Sequence, residues 1–468
     1  MLDDDANKAI RRYAMKQHTI TLNNAYKQFT LDVDKILPPE ETVKRFKTKL
    51  KKIDLDILKN TIRIDNGRLN IPIYFSTCGK DAAAVIGTKK QMGKGGTPAQ
   101  AEASAVMELA ERFSFFSFAA NPNNFFIDKF VNVKEDAIAF EMIAKSVHDE
   151  SDDLKLSRKI FENLPLKWTR GYNLTREKEV LIPFDWFFAI NEFNGPSAGN
   201  CVEEALIQGI CEIVERHTSS IISQNKLKVP AIRPESASDP LITEILQKYK
   251  NAGVDLYLSD FSLDTGIPTV GVLAHDPATF PHLSEIVWTA GTTPNPQKAL
   301  SRALTEVAQL AGDFNTGANY VASGLPKFST IEEADYVINP GKRIDIDDLP
   351  DQTDNNLKTE ILNCLSALAA NNMEVLAINT MHSQLVIPAF YTIIPGAHFR
   401  ERSLGTSVAM FSAKHIFENR PTKEAILELE AMDKVLPGKY YVHFYLGAGK
   451  LAINDPKTAL TSLRRALT

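Results

Sequence analysis

The chain has 468 residues, 44% hydrophobic and 24% charged, with a formal net charge of −5. That length allows two or three domains and a large core, and the mild negative charge gives no basic surplus to suggest nucleic acid as a partner. The four cysteines (Cys78, Cys201, Cys211, Cys364) form no CxxC pair, and the nine histidines show no ligand spacing. Structural zinc, disulfides and transition-metal chemistry are therefore not expected, and a reduced, cytoplasmic protein is. The acidic start has no apolar signal core and no segment reaches membrane-spanning length, so no membrane partner is expected either.

Taken in order, residues 1–60 read as a mainly helical N-terminal segment, with Val43, Phe46, Leu50 and Ile53 on one face of a helix at 42–53. Residues 61–64 and 69–75 read as strands joined at Asp65-Asn66-Gly67, and 82–86 as another short strand. A long helix ends near 119–121, where Asn-Pro-Asn-Asn breaks it. Residues 125–165 read as helices and loops, and 168–172 with 180–184 as a strand pair. Strands follow at 254–258, 268–272 and 285–289. Residues 314–352, rich in Asp, Gly and Pro, read as an irregular excursion. A helix around 354–370 precedes strands near 373–379 and 385–394. The end of the chain is helical: 421–433, then a helix–turn–helix over 440–466 whose small residues resemble one tetratricopeptide-like unit. The fold class is mixed α/β (α+β), divided as 1–60, a catalytic domain at 61–412 and a helical segment at 413–468.

Three stretches repeat one pattern. Ala101, Ser104, Glu108 and Glu111 in the first match Ala205, Gln208, Glu212 and Glu215 in the second, and Ala299, Arg302, Glu306 and Gln309 in the third. Offsets of three and four residues place these side chains on one helical face, giving each helix an acidic stripe. Val106, Met107 and Ala110, and Leu206, Ile210 and Ile213, occupy the opposite faces. Glu108 to Arg112 and Glu212 to Arg216 are ordinary i,i+4 ion pairs of roughly 0.2–0.5 kcal/mol, and one such helix alone needs no further reading. Paired glutamates repeated at matched offsets, however, repel unless a cation lies between them. Five carboxylates (Glu108, Glu111, Glu212, Glu215, Glu306) with Arg112, Arg216 and Arg302 suit magnesium bridging phosphate oxygens.

Each striped helix is entered through a turn-forming segment: Gly93-Lys94-Gly95-Gly96-Thr97-Pro98, Ser197-Ala198-Gly199-Asn200 and Gly291-Thr292-Thr293-Pro294. Backbone N–H groups at such helix starts attract anions. No Gly-Lys-Ser/Thr follows four spacer residues, so this is not a Walker A loop. A strand-then-helix unit recurs.

The strings GKGGTPAQAEASAVMELAERFS, SAGNCVEEALIQGICEIVERH and RALTE resemble the three signature motifs of the YcaO family, in the same order, over roughly residues 35 to 400. The resemblance implies β-sheets and helices enclosing a nucleotide, with ATP and Mg2+ used to activate a backbone amide of a peptide or protein. It implies azoline, macroamidine or thioamide products, or a part in β-methylthiolation of a ribosomal protein as an accessory factor. By position, Ser104, Glu108, Glu111 and Arg112 match the first motif, Asn200, Gln208, Glu212, Glu215 and Arg216 the second, and Arg302 and Glu306 the third. Lys35 and Thr42 resemble a family Lys and Ser that contact the nucleotide, and Lys94, expected to bind the cofactor too, matches the family's glycine-lysine-glycine entry. The chain ends in Arg-Arg-Ala-Leu-Thr rather than a proline-rich tail, which points away from azoline formation. A sulfur-transfer or TfuA-like partner and a homodimer are expected on the same ground.

The charges then imply roles. The glutamates hold metal, with Glu212, Arg302 and Glu306 doing the chemistry, and Arg112 and Arg216 clamping phosphates. Ser104, Asn200 and Gln208 orient nucleotide or metal-bound water. No general base is evident. An alternative of another class is an ATP-binding scaffold that docks a sulfur-transfer enzyme through 413–468. Carboxylate–amine ligation, which shares the phosphoryl logic, is a third reading.

Overall fold

The computed structural model describes residues 19–28, 34–317, 320–321, 324–399 and 406–467. Helices expected at 1–18 and 29–33 lie outside the described residues. Between them, residues 19–28 are extended rather than helical, and Tyr26 bridges to Asn356. The helix expected at 42–53 runs Pro39–Leu50 and buries Thr42, Val43 and Phe46.

Three sheets carry the fold. The first is antiparallel, in the order β1 (Leu58–Arg63), β2 (Ile73–Cys78), β3 (Lys90–Lys94). The second comprises β4 (Phe126–Lys129), β5 (Pro165–Asn173), β6 (Lys178–Pro183), β7 (Pro196–Ala198), β13 (Leu376–Asn379) and β14 (Ala389–Ile393). Its order is β4-β5-β13-β14-β7, with β6 also on β5. The third holds β8 (Ala231–Ile232), β9 (Asp255–Asp260), β10 (Thr269–His275), β11 (Val287–Thr292) and β12 (Arg343–Ile344), in the order β11-β10-β9-β8-β12. Every residue of β11 is buried, so both faces of that strand are covered and it shows no polar alternation.

The three striped helices lie between these sheets. The first, Pro98–Ala120, crosses β2 and β3 and reaches β7 and β14. The second, Val202–Asn225, packs on β14 and β7 and touches β11. The third, Pro296–Ala311, covers β10 and β11.

Further segments depart from the sequence reading. Residues 82–86 belong to a helix, Lys80–Ile86, stopped by Gly87 in a left-handed cap at φ 77°. Three consecutive alanines favour helix over strand, and five residues are too few for periodicity to speak against it. The strand leading into the first striped helix is β3 instead. The 65–67 turn sits inside a longer connection, because β1 and β2 pair only as far as Arg63 opposite Tyr74.

The C-terminal helices Val408–Asn419, Thr422–Val435, Tyr440–Ala452 and Pro456–Arg465 stack in succession. Their Ile416, Leu429, Met432 and Leu446 join the core over the six-stranded sheet. Beside that core His217, His398 and His148 stack ring on ring, with centroids 5.4 Å and 3.8 Å apart. No described helix is long and apolar enough to cross a membrane.

Candidate functional site

The repeat visible in the sequence is a repeat of local structure. Each striped helix starts on a side chain that accepts from the backbone N–H three residues on. Thr97 accepts from Gln100 at 3.3 Å, the Cys201 sulfur from Glu204 at 3.4 Å, and Asn295 from Lys298 at 3.0 Å. The strand before each helix crosses it closely. A Cβ on Gly93 would lie 2.1 Å from the Ala105 nitrogen, and one on Gly291 2.4 Å from the Ala299 oxygen. In the second unit the strand position is Ser197 and the glycine is on the helix, where a Cβ on Gly209 would meet Thr392 Oγ1 at 2.3 Å. The hydroxyls of Ser76 and Thr289 donate to the carbonyls of Ala105 and Ala303, equivalent positions at 2.8 and 3.0 Å. Small residues at equivalent places thus dock the helices at similar depth.

The charged edges of the three helices meet. Lys94, at the end of β3, contacts the Glu306 carboxylate of the third helix. Arg302 donates to Gln208 of the second helix at 2.8 Å and stands 3.7 Å from Glu215. Glu215 lies 3.3 Å from Arg216, and Glu111 3.3 Å from Arg112. The loop before β7 completes this wall. Arg112 donates to the Phe193 carbonyl at 3.3 Å, Arg216 to Asn194 at 3.2 Å, and the Gly195 N–H to Glu212 at 3.4 Å. These loop contacts are absent from the sequence reading. The available signal was Asn194-Gly195, a turn dipeptide whose glycine takes φ 100°.

Burial sets the electrostatics. It pushes the carboxyls of Glu108, Glu111 and Glu212 above the usual range, more than Arg112 and its neighbours pull them down. Burial and nearby Arg302 bring the Lys94 ammonium down to about 7, against the pull of Glu215 and Glu108. Burial also lowers Arg112, but Glu111, Glu108 and Glu212 together raise it. Several desolvated like charges are thus held close, which costs free energy until a counter-charge arrives.

The donor set fits magnesium and a polyphosphate. All its anionic groups are carboxylates, and the buried Glu215 Oε2 accepts no hydrogen bond. Among the described residues no three His, Cys, Asp or Glu side chains are gathered closely enough to hold a metal alone. Magnesium needs only one or two protein carboxylates and completes its octahedron with water and phosphate oxygens.

The other expected residues lie as follows. Ser104 is half-buried on the face shared with Glu108 and Glu111. Asn200 donates to Glu204 at 2.9 Å, and Glu204 also receives the Ile36 N–H at 2.7 Å. The segment bearing Lys35 is therefore tied to the start of the second striped helix, with Lys35 3.9 Å from Asp34. Thr42 is buried and donates its hydroxyl to the Pro38 carbonyl at 3.3 Å.

Three helix–strand units thus bring carboxylates and guanidinium groups to one place. The chain belongs to the YcaO family: the family model described as an ATP- and Mg2+-binding YcaO cyclodehydratase matches residues 92–398. A curated relative, an uncharacterized protein of Methanothermobacter thermautotrophicus, is 26% identical over 379 residues, covering 76% of this chain and 93% of its own. The ribosomal protein S12 methylthiotransferase accessory factor YcaO of Escherichia coli is 29% identical over 146 residues, 30% of this chain and 24% of that protein. Among solved structures, YcaO from Methanopyrus kandleri bound with AMPPCP and Mg2+ aligns with a TM-score of 0.57 at 22% identity, covering 78% of this chain and 92% of that one. A heterocyclase in complex with substrate and cofactor aligns with a TM-score of 0.65 at 20% identity, over 84% of this chain. The chain spans 56% of that heterocyclase's length. These likenesses establish the shared fold.

Proposed function

We propose that this protein uses ATP and Mg2+ to phosphorylate a backbone amide of a peptide or protein, in support of thioamidation or a related modification. The observation that carries this reading is the meeting of Lys94, Glu306, Arg302, Gln208 and Glu215 from three separate units. With Mg2+ bound, the nucleotide supplies a γ-phosphoryl group that makes the otherwise unreactive amide oxygen a leaving group. Glu108, Glu111, Glu212, Glu215 and Glu306 are the groups to hold the cation. Arg112, Arg216 and Arg302 neutralise charge on the phosphate oxygens, and a protonated Lys94 adds a fourth positive group. Gln208, fixed by Arg302, and Ser104 and Asn200 orient the nucleotide, while Lys35 and Thr42 belong to its outer wall. Residues 61–412 form the catalytic unit on this reading. A TfuA-like partner is supported by a Rhizobium leguminosarum relative named for its place in a tfuA 3′ region, 25% identical over 260 residues.

The test is Mg2+-dependent ATP hydrolysis by Glu306→Gln and Glu212→Gln proteins. Both are expected to lose turnover with the fold intact. Wild-type rates in either would remove the metal-clamp role.

One observation favours the scaffold reading. Tyr440, Phe444 and Leu451 line an exposed stripe on one face of the 440–452 helix, a surface suited to docking a sulfur-transfer enzyme. Mass spectrometry of a peptide incubated with protein, ATP and a sulfur donor separates the two. A sulfur- or phosphate-dependent mass change favours catalysis, and tight partner binding without one favours the scaffold.

A further inference from the structure

Three consecutive residues before β7 each give one group to one charged side chain of the site. The Phe193 carbonyl accepts from Arg112, the Asn194 side chain accepts from Arg216, and the Gly195 N–H donates to Glu212. The backbone that presents them is constrained on both sides. Glu192, just before them, takes φ 47° and ψ −110°, a costly conformation for a residue with a Cβ. Gly195 takes φ 100°, and a Cβ there would lie 2.2 Å from the Thr392 carbonyl oxygen, so only glycine fits.

An Asn-Gly pair is an ordinary turn, and a turn alone asks little of the asparagine side chain beyond its own backbone. Here both ends of the Asn194 amide are engaged. Its backbone N–H and its Nδ2 both donate to the Asn191 carbonyl, at 3.0 and 2.8 Å. Oδ1 is thereby turned to Arg216 Nε at 3.2 Å. The reversed amide would set Oδ1 against a carbonyl and Nδ2 against a guanidinium that only donates, so the orientation follows from the partners. Arg216 is also confined elsewhere: Nη1 lies 3.3 Å from Glu215 Oε1, and a Cβ on Gly324 would fall 2.4 Å from Nη1.

A guanidinium meets an anion with either of two edges, Nε–Nη2 or Nη1–Nη2. Asn194 occupies Nε and so closes the first. The second remains, in a plane set by Asn194 and Gly324. We infer that Asn194 is a positioning residue for phosphoryl transfer, acting through Arg216: it fixes the guanidinium plane so that the Nη1–Nη2 edge is the one offered to phosphate oxygens. This rests on the functional reading above, which gives Arg216 its charge-neutralising role. A guanidinium free to turn still attracts phosphate, but it meets the transition state in the right plane only part of the time. Asn194 lies three residues before the second signature string, which begins at Ser197.

The experiment measures Mg2+-dependent hydrolysis by the full chain as phosphate release from γ-32P-labelled ATP, so that variants about a thousandfold slower are still read. Asn194→Ala is expected to lower kcat about tenfold, the worth of a hydrogen bond to a charged group, with KM for ATP within about twofold of wild type. In an Arg216→Ala background the same substitution is expected to change kcat by less than about twofold, because its partner is gone. A merely structural asparagine would slow both backgrounds alike. That result overturns the inference, as does a wild-type kcat or a loss confined to KM in Asn194→Ala. Should Asn194→Ala melt early, Asn194→Ser keeps a turn-forming side chain whose oxygen falls short of Arg216, and the same pair of rates is expected of it. Arg216→Ala alone separates the two claims. A slow Arg216→Ala beside an unaffected Asn194→Ala defeats the positioning role only, whereas wild-type turnover in Arg216→Ala defeats the functional reading of that arginine.

Discussion

Two buried polar regions lie side by side on the second striped helix and handle desolvation in opposite ways. Toward the first and third helices, Glu215 lies between two guanidinium groups, those of Arg216 and Arg302. Next along the chain, His217 stacks on His398, which in turn stacks on His148. The His217 Nδ1 accepts the His398 backbone N–H at 3.0 Å. Burial, with the neighbouring histidines, drives His217 down to about 3 and His398 to about 4. The first region keeps charge and awaits more. The second has shed it and serves packing.

The largest expected effect tests the charged region. Arg302→Ala should lower phosphoryl-transfer turnover by on the order of a thousandfold, as loss of a transition-state arginine does elsewhere. Its melting temperature should stay near wild type, and an unaltered rate constant would show that the charges are structural. Next comes the packing that holds the edge in place. Gly291→Val puts side-chain atoms where the Ala299 oxygen and Ala303 nitrogen lie. It should cost about 3 kcal/mol in a denaturant titration. A smaller effect is expected at Lys94, where replacement by methionine should weaken ATP binding about tenfold, the worth of a charged hydrogen bond. Isothermal titration would measure it.

The smallest effect sharpens the contrast from the histidine side. Both folded values lie below the ordinary 6.5, so between them and 6.5 the unfolded chain binds more protons. Their stabilisation is complete above pH 6.5 and is lost as pH falls toward about 4 and then about 3. The denaturation midpoint should therefore drop between pH 7 and pH 5, with a shallower slope in His398→Gln. Lys145, whose charge also disfavours a protonated His217 and His148, belongs to the same set. Equal slopes in both proteins would discard this account.

Much of this arrangement could be read from the chain because it rests on periodic, local signals. The striped helices announced themselves through offsets of three and four, and their starts through the turn-forming segments Gly93–Pro98, Ser197–Asn200 and Gly291–Pro294. Residues 82–86 read as strand, yet lie in the helix Lys80–Ile86, because an alanine-rich run bounded by Gly79 and Gly87 carries a propensity but too short a pattern. Residues 19–28 were read as helix, yet their extended path is held by distant groups: Glu203 takes the Asn23 N–H at 2.6 Å, and Asn356 the Ala25 N–H at 2.9 Å. Such long-range bonds leave no trace in local sequence. The same holds for Asn194, which reaches Arg216 through loop geometry rather than through a motif.

At the helix–strand crossings, wherever the strand gives up a side chain the helix keeps an alanine, and where the strand keeps a serine the helix gives way. Atoms left out at Gly93, Gly209 and Gly291 therefore act as spacers that level three separate floors. Residues two helical turns onward arrive at matching heights without needing to touch during folding. Charged groups in the middle of each helix are aligned by missing methyl groups one or two turns away.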